Sequence, residues 1–139
     1  MRRLIVLSAL ALAACGGPDA NPNAPVAAPD LAANFNQPLD ARGGDPAWGL
    51  KIRGLQFTVD RPGQPDVVAT APGAVITPHK ASWTALTANG QTMKVTVFAS
   101  TCTDAASGAT YPFSAEVLLP GSAPLNGCAG KPAAATTKP

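Results

Sequence analysis

The stretch WGLKIRGLQFTV, Trp48 to Val59, alternates apolar and polar residues with a period of two on either side of Gly54. Trp48, Leu50 and Ile52 fall on one face of an extended chain. Leu55, Phe57 and Val59 fall on one face of the next. A helix would spread these six residues around its circumference, so two strands are predicted. Outward from there, Asp60-Arg61-Pro62-Gly63 reads as a turn. Val67–Thr70 and Ala74–Ile76 are short β-prone runs set off by Pro65, Pro72, Gly73 and Pro78. Ser82–Thr87 and Thr92–Phe98 flank Asn89-Gly90, the dipeptide favoured in type I′ hairpin turns. Met93, Val95 and Val97 share a face opposite Lys94 and Thr96. Phe113, Ala115, Val117 and Leu119 point inward, with Ser114 and Glu116 outward, and a last short strand around Leu125 carries Cys128. About seven or eight short strands with closely spaced turns predict an all-β fold, a small antiparallel barrel or sandwich.

Composition agrees. The chain has 139 residues, 46% of them apolar and 13% charged, which suits one domain at most. Its 15 Pro and 13 Gly argue against long helices. The formal charge is +2, but Arg2 and Arg3 lie in a targeting segment; beyond residue 14, 8 cations face 8 anions. A near-neutral mature chain excludes an electrostatic nucleic-acid binder.

Residues 1–14 read MRRLIVLSALALAA: two arginines, then an apolar run from Leu4 to Ala14. That run is too short for a transmembrane helix and right for a signal-peptide core. Leu12-Ala13-Ala14-Cys15 resembles the lipobox of bacterial lipoproteins, which implies cleavage before Cys15 and acylation of its thiol. The other reading is a plain secretory peptide cut at an Ala-x-Ala site. Two or three acyl chains suffice for stable membrane attachment. Gly16 in place of Asp implies, by resemblance to the enteric sorting rule, the outer membrane facing the periplasm. Residues 15–43, rich in Pro, Ala and Asn, read as the acylated Cys and a disordered tether; as a flexible coil this would span roughly 30 Å. The β-domain is expected over residues 44–129 and a flexible tail over 130–139. A core that small is marginal without a staple. With Cys15 acylated, Cys102 and Cys128 remain as one pair in an exported chain, where thiols oxidise. Their bridge would close a loop of about 27 residues, worth roughly 3.5 kcal/mol on chain-entropy grounds. Free thiols at a metal or redox site are the alternative, but there is no CxxC spacing and no histidine cluster.

Gly44–Trp48, Cys102–Pro112 and Leu125–Ala129 are three patches that resemble motifs of a poorly characterised family of bacterial envelope lipoproteins. Gly44-Asp45-Pro46-Ala47-Trp48 is similar to its Gly-x-Glu-Pro-Phe-Trp motif. Cys102-Thr103-Asp104-Ala105-Ala106-Ser107-Gly108-Ala109-Thr110-Tyr111-Pro112 resembles its Cys-Ser-Asp-Gly-Met-Ser-Asp-Arg-x-Tyr-Pro motif. Leu125-Asn126-Gly127-Cys128-Ala129 matches its closing Leu-x-Gly-Cys-Ala. Departures fall at Asp45, Ala47, Ala105, Ala106, Gly108 and Ala109, and the family supplies no activity. Ala105 to Tyr111 also resembles the Ser-Gly-x-x-Tyr loop of membrane-bound inhibitors of C-type lysozyme. The Trp-x-Lys-Gly stretch that should follow is missing.

Catalytic constellations are thin. His79, the single histidine, lies in an expected surface turn, so a Ser-His-Asp or Cys-His site would have to use it. Asp104 and Glu116 form a carboxylate pair only if the fold joins them; Asp104 reads better as a turn residue bonded to its own backbone. One histidine with scattered carboxylates is a poor zinc or iron site, so no metal or cofactor is expected. Trp48 and Trp83 read as core or barrel-end packing, and Tyr111 as half-buried with its hydroxyl bonded to a loop. The expectation is a non-enzymatic, lipid-anchored binding or structural module of the bacterial envelope. Alternatives are a C-type lysozyme inhibitor, with lysozyme as protein partner, and a carrier of a small apolar ligand. The expected recognition surface is the loop from Thr103 to Thr110, with Asp104, Ser107, Gly108 and Tyr111 as its site residues. Binding sites commonly sit on loops with rigid flanks.

Overall fold

A computed structural model describes Phe35 and residues 37–133. The expected signal segment 1–14, the expected acylation site Cys15, most of the expected tether and the last six residues of the expected tail lie outside the described residues. Eleven strands follow in order: β1 (Leu39–Gly44), β2 (Ala47–Arg53), β3 (Gln56–Arg61), β4 (Gln64–Thr70), β5 (Ala74–Thr77), β6 (Lys80–Thr87), β7 (Thr92–Phe98), β8 (Cys102–Thr103), β9 (Thr110–Tyr111), β10 (Phe113–Leu118) and β11 (Leu125–Gly130). Eight of them, β1–β4, β6, β7, β10 and β11, pair antiparallel in chain order. The sheet closes where β4 meets β6, through Ala69↔Thr87 and Thr70↔Leu86, and where β1 meets β11. The fold is therefore a closed meander barrel rather than a sandwich, with β5 added beside β6 and β8–β9 as a separate hairpin.

Side chains alternate around this wall as the period of two requires. Leu50, Ile52, Phe57, Val59, Met93, Val95, Val97 and Val117 are all but wholly buried. Eight strands enclose a space that side chains just fill. Phe57 packs edge-on against Trp83, with ring centroids 5.7 Å apart. One end of the barrel receives the chain: Phe35 packs there against Trp83 and Phe113, with ring centroids 5.9 and 5.5 Å away. The β2–β3 turn, the β5–β6 turn and the start of β10 share this entry end, as the registers require. The β1–β2, β3–β4, β6–β7 and β10–β11 turns lie at the far end.

The structure corrects several expectations. β1 occupies Leu39–Gly44, inside the stretch read as tether, so the domain begins before residue 44. Only Leu39 and Ala41 are its buried apolar residues; Asp40, Arg42 and the two glycines disguise the alternation. Gly130 is the last residue of β11 rather than tail. Leu55 is 50% exposed, because it sits in the turn after Gly54 and the strand starts at Gln56. The turn read at Asp60–Gly63 shrinks to Pro62-Gly63, with β3 running through Arg61. Asn89-Gly90 does not form a type I′ turn. The Gly90 N–H donates to the Thr87 carbonyl at 2.9 Å, the Thr87 N–H donates to the Gln91 carbonyl, and Gly90 alone takes a positive φ, 79°. That is a three-residue loop, a type I turn closed by a left-handed glycine. Thr96 keeps the face opposite Val95 and Val97 that the alternation gives it, in register with Ser82 and Glu116, yet it is buried there beside the Ser82 hydroxyl.

Candidate functional site

Cys102 and Cys128 form the disulfide, with Cα atoms 5.4 Å apart. Inward residues of β11 are Leu125 and Ala129, so Cys128 faces the outside of the barrel, yet it is only 2% exposed. What covers it is the β8–β9 hairpin, folded back as a flap over the outer face of β11 and β1. At the flap's base, Tyr111 and Pro112 lie over Gly130, where a Cβ would stand 3.3 Å from each. At its tip, Ala106 reaches Gly44, 3.2 Å from the position of an added Cβ.

The expected recognition residues all fall on this flap. Asp104 is its knot. Its carboxylate accepts a 2.6 Å bond from the Ser107 hydroxyl and a 3.4 Å bond from the Ala106 N–H. The Asp104 N–H donates to the Ala109 carbonyl at 2.9 Å, and the Gly108 N–H donates to the Asp104 carbonyl at 2.7 Å. Asp104 is thus the turn residue that the sequence implies. Glu116, the other carboxylate the sequence offers, sits mid-strand on β10, in register with Thr96 and Asn126, and the partners of the Asp104 carboxylate are Ser107 and Ala106. The Ser107 bond, with further bonds from the Ala106 and Ser107 N–H groups and the charge of Arg42, holds the Asp104 carboxyl below the ordinary carboxylate range against the opposing effect of burial. Tyr111 is half-buried, and its hydroxyl accepts a 3.3 Å bond from Arg42 Nη1 on β1 rather than bonding to a loop. That hydrogen bond, ahead of the attraction of Tyr111 and Asp104, raises the Arg42 pKa above its usual value.

Arg42 is the site residue that sequence reasoning missed, because it lay in the supposed tether. The one available signal was the pattern Leu39-Asp40-Ala41-Arg42, apolar in and charged out. Beside it an open groove of about 680 Å³ runs over the outer face of β1–β3, bordered by Arg42, Lys51, Asp60, Tyr111 and Lys131. Beneath that wall Trp48, 5% exposed, donates from Nε1 to the Asn126 carbonyl at 3.3 Å. A Cβ at Gly127 would overlap the Arg42 carbonyl and come within 2.9 Å of the Trp48 ring. The closing Leu-x-Gly-Cys-Ala thus reads physically. Gly127 makes room for Trp48, Cys128 turns out to hold the flap, and Ala129 turns in.

His79 is exposed in the β5–β6 turn, and its carbonyl accepts from the Ala99 N–H at 2.8 Å. Trp83 packs in the core. Among the described residues, no three His, Cys, Asp or Glu side chains converge as a metal would require. Comparison with protein families, curated proteins and solved structures finds no match to this chain.

Proposed function

We infer that the protein is a non-enzymatic binding module, held at the bacterial envelope through Cys15, whose contact surface is the stapled flap and the groove beside it. The carrying observation is the flap itself. A loop of small residues is fixed on the outer wall at one end by Cys102–Cys128, at the other by Arg42–Tyr111, and within by Asp104. Such a pre-ordered loop loses little entropy on binding. The lipobox and the resemblance to envelope lipoproteins support the address. The filled interior around Phe57 and Trp83 weighs against an apolar carrier.

Photo-crosslinking in cells tests the surface. Probes at Ala105 and Lys51 are expected to trap a partner, and a probe at Leu86 on another part of the wall is not. Equal capture at all three sites, or none, ends this reading. One observation favours inhibition of C-type lysozyme: the exposed Ser107 loop has a basic neighbour in Arg42, whose charge reaches Asp104. Purified protein should then slow the lysozyme, and Ser107→Arg should abolish the effect while Ser107→Ala weakens it. Lysozyme left untouched at high micromolar protein sinks the inhibitor reading alone.

A further inference from the structure

Charge is divided between the two ends of the barrel. Asp45, Asp60 and Asp66 are exposed at the far end, on the β1–β2 turn and the β3–β4 hairpin. Arg61 accompanies them there. At the entry end stand Arg53, His79, Lys80 and Lys131, all exposed. Among the described residues the one carboxylate there is Asp40, and it is paired with Arg53 at 2.7 Å. The whole stretch from Val67 to Thr103, which forms most of β4 and all of β5–β8, contains no Asp or Glu.

The same end is apolar at its rim. β5 runs beyond the barrel wall beside β6. Its Val75 is 70% exposed and its Ile76 41%, and Leu55 is 50% exposed in the neighbouring β2–β3 turn. Single exposed apolar residues are ordinary. Here Val75 and Ile76 fall on opposite faces of the β5–β6 ribbon, in register with Ser82 and Ala81, with His79 and Lys80 in its turn and no unpaired carboxylate at that end among the described residues. The ribbon is amphipathic on both of its faces, whereas the comparably exposed Val68, Leu86 and Leu118 lie apart from it on other strands or, for Leu86, at the opposite end of β6. The chain also enters here: Phe35 packs into this end, and 19 residues separate it from Cys15. Even fully extended, those residues reach no more than about 70 Å. An acylated Cys15 would therefore hold this end within that distance of the lipid, and such a leash raises the effective concentration of a weak second contact.

We propose that the entry end of the barrel is a membrane-facing surface: the β5–β6 ribbon, with Val75 and Ile76 on its two faces and Leu55 in the neighbouring turn, enters the headgroup region of the anchoring bilayer while His79 and Lys80 in its turn meet anionic phospholipid. This rests on acylation at Cys15. Cations near an anionic surface and a few buried apolar side chains each contribute modestly, and long Lys stems let the charge stay at the headgroups. The far end, with its carboxylates, then points away from the bilayer, and the flap on the side wall stays open to a partner.

The full acylated chain in vesicles containing brominated phosphatidylglycerol tests this, after mass spectrometry of residue 15. Trp48 and Trp83 are buried and give a constant background. Val75→Trp is expected to add fluorescence that the brominated lipid quenches. Ala88→Trp, in the far-end loop, should add fluorescence that is not quenched. Lys80→Glu should bring Val75→Trp down towards the Ala88→Trp level, as should vesicles made only of zwitterionic phosphatidylcholine that itself carries the bromine. Equal quenching at both positions, or none at position 75, in a chain shown to be acylated overturns the orientation alone. An unmodified Cys15 overturns the orientation together with the anchor.

Discussion

With its carboxylate already accepting from Ser107 and Ala106, Asp104 binds a proton less readily in the folded flap than in an unfolded chain. A depressed carboxyl pKa stabilises the fold above the unfolded value, near 4. That contribution fades as pH falls through the lowered folded value. The side-chain resonance of Asp104 should therefore titrate below the ordinary range. Ser107→Ala should move it back up and speed amide exchange at Gly108 and Ala109. Ordinary titration in the unaltered protein would show that the Ser107 bond is not made. Gly127→Ala should cost about 1–3 kcal/mol in urea denaturation, because the Cβ has no room against Arg42 and Trp48. Gly73→Ala, where a Cβ meets nothing within 4 Å, should stay within about 0.5 kcal/mol. The role of Asp104 was legible because an Asp with small residues after it has few uses other than a turn. Arg42 was not, since its importance comes from Tyr111, 69 residues away.

Among elements, the strands with large apolar residues could be read directly. β2, β7 and β10 bury the side chains their alternation assigns to the core. β1 escaped because its inward positions hold one leucine, an alanine and a glycine, and Pro38 precedes it. The Asn89-Gly90 turn was found in the right place with the wrong geometry, since the dipeptide fits either loop and neighbouring strands choose between them. The flap adds an element that strand patterning does not describe: two residues in each strand, held by a covalent bond. Changing both Cys102 and Cys128 to Ser should lower stability by roughly 2–5 kcal/mol. It should also raise amide exchange from Thr103 to Thr110 far more than in β7 or β10. Thiols that titrate in the unreduced native protein would contradict the bridge.

At the scale of the molecule, β1 lies between β2 and β11, so the ring is complete only with residues from both ends of the domain. A chain begun at Gly44, where composition places the domain boundary, should lack cooperative unfolding. One begun before Phe35 should keep it, and circular dichroism melts distinguish the two. The closing pair joins Asp40 to Gly130, about 90 residues apart, whereas the turns between β1 and β4 and between β6 and β7 join close neighbours. Distant pairings of this kind are slow, because loop entropy is lost before contacts repay it. A chain that emerges amino end first therefore holds one rim of β1 unpaired until its last strand arrives, and an unpaired rim invites another chain to add to it. Pulsed hydrogen exchange during refolding should find the β1 amides that face β11 among the last to be protected. Partial proteolysis or early release near the carboxyl end would then yield not a shorter barrel but an open sheet, ready to assemble with its own kind.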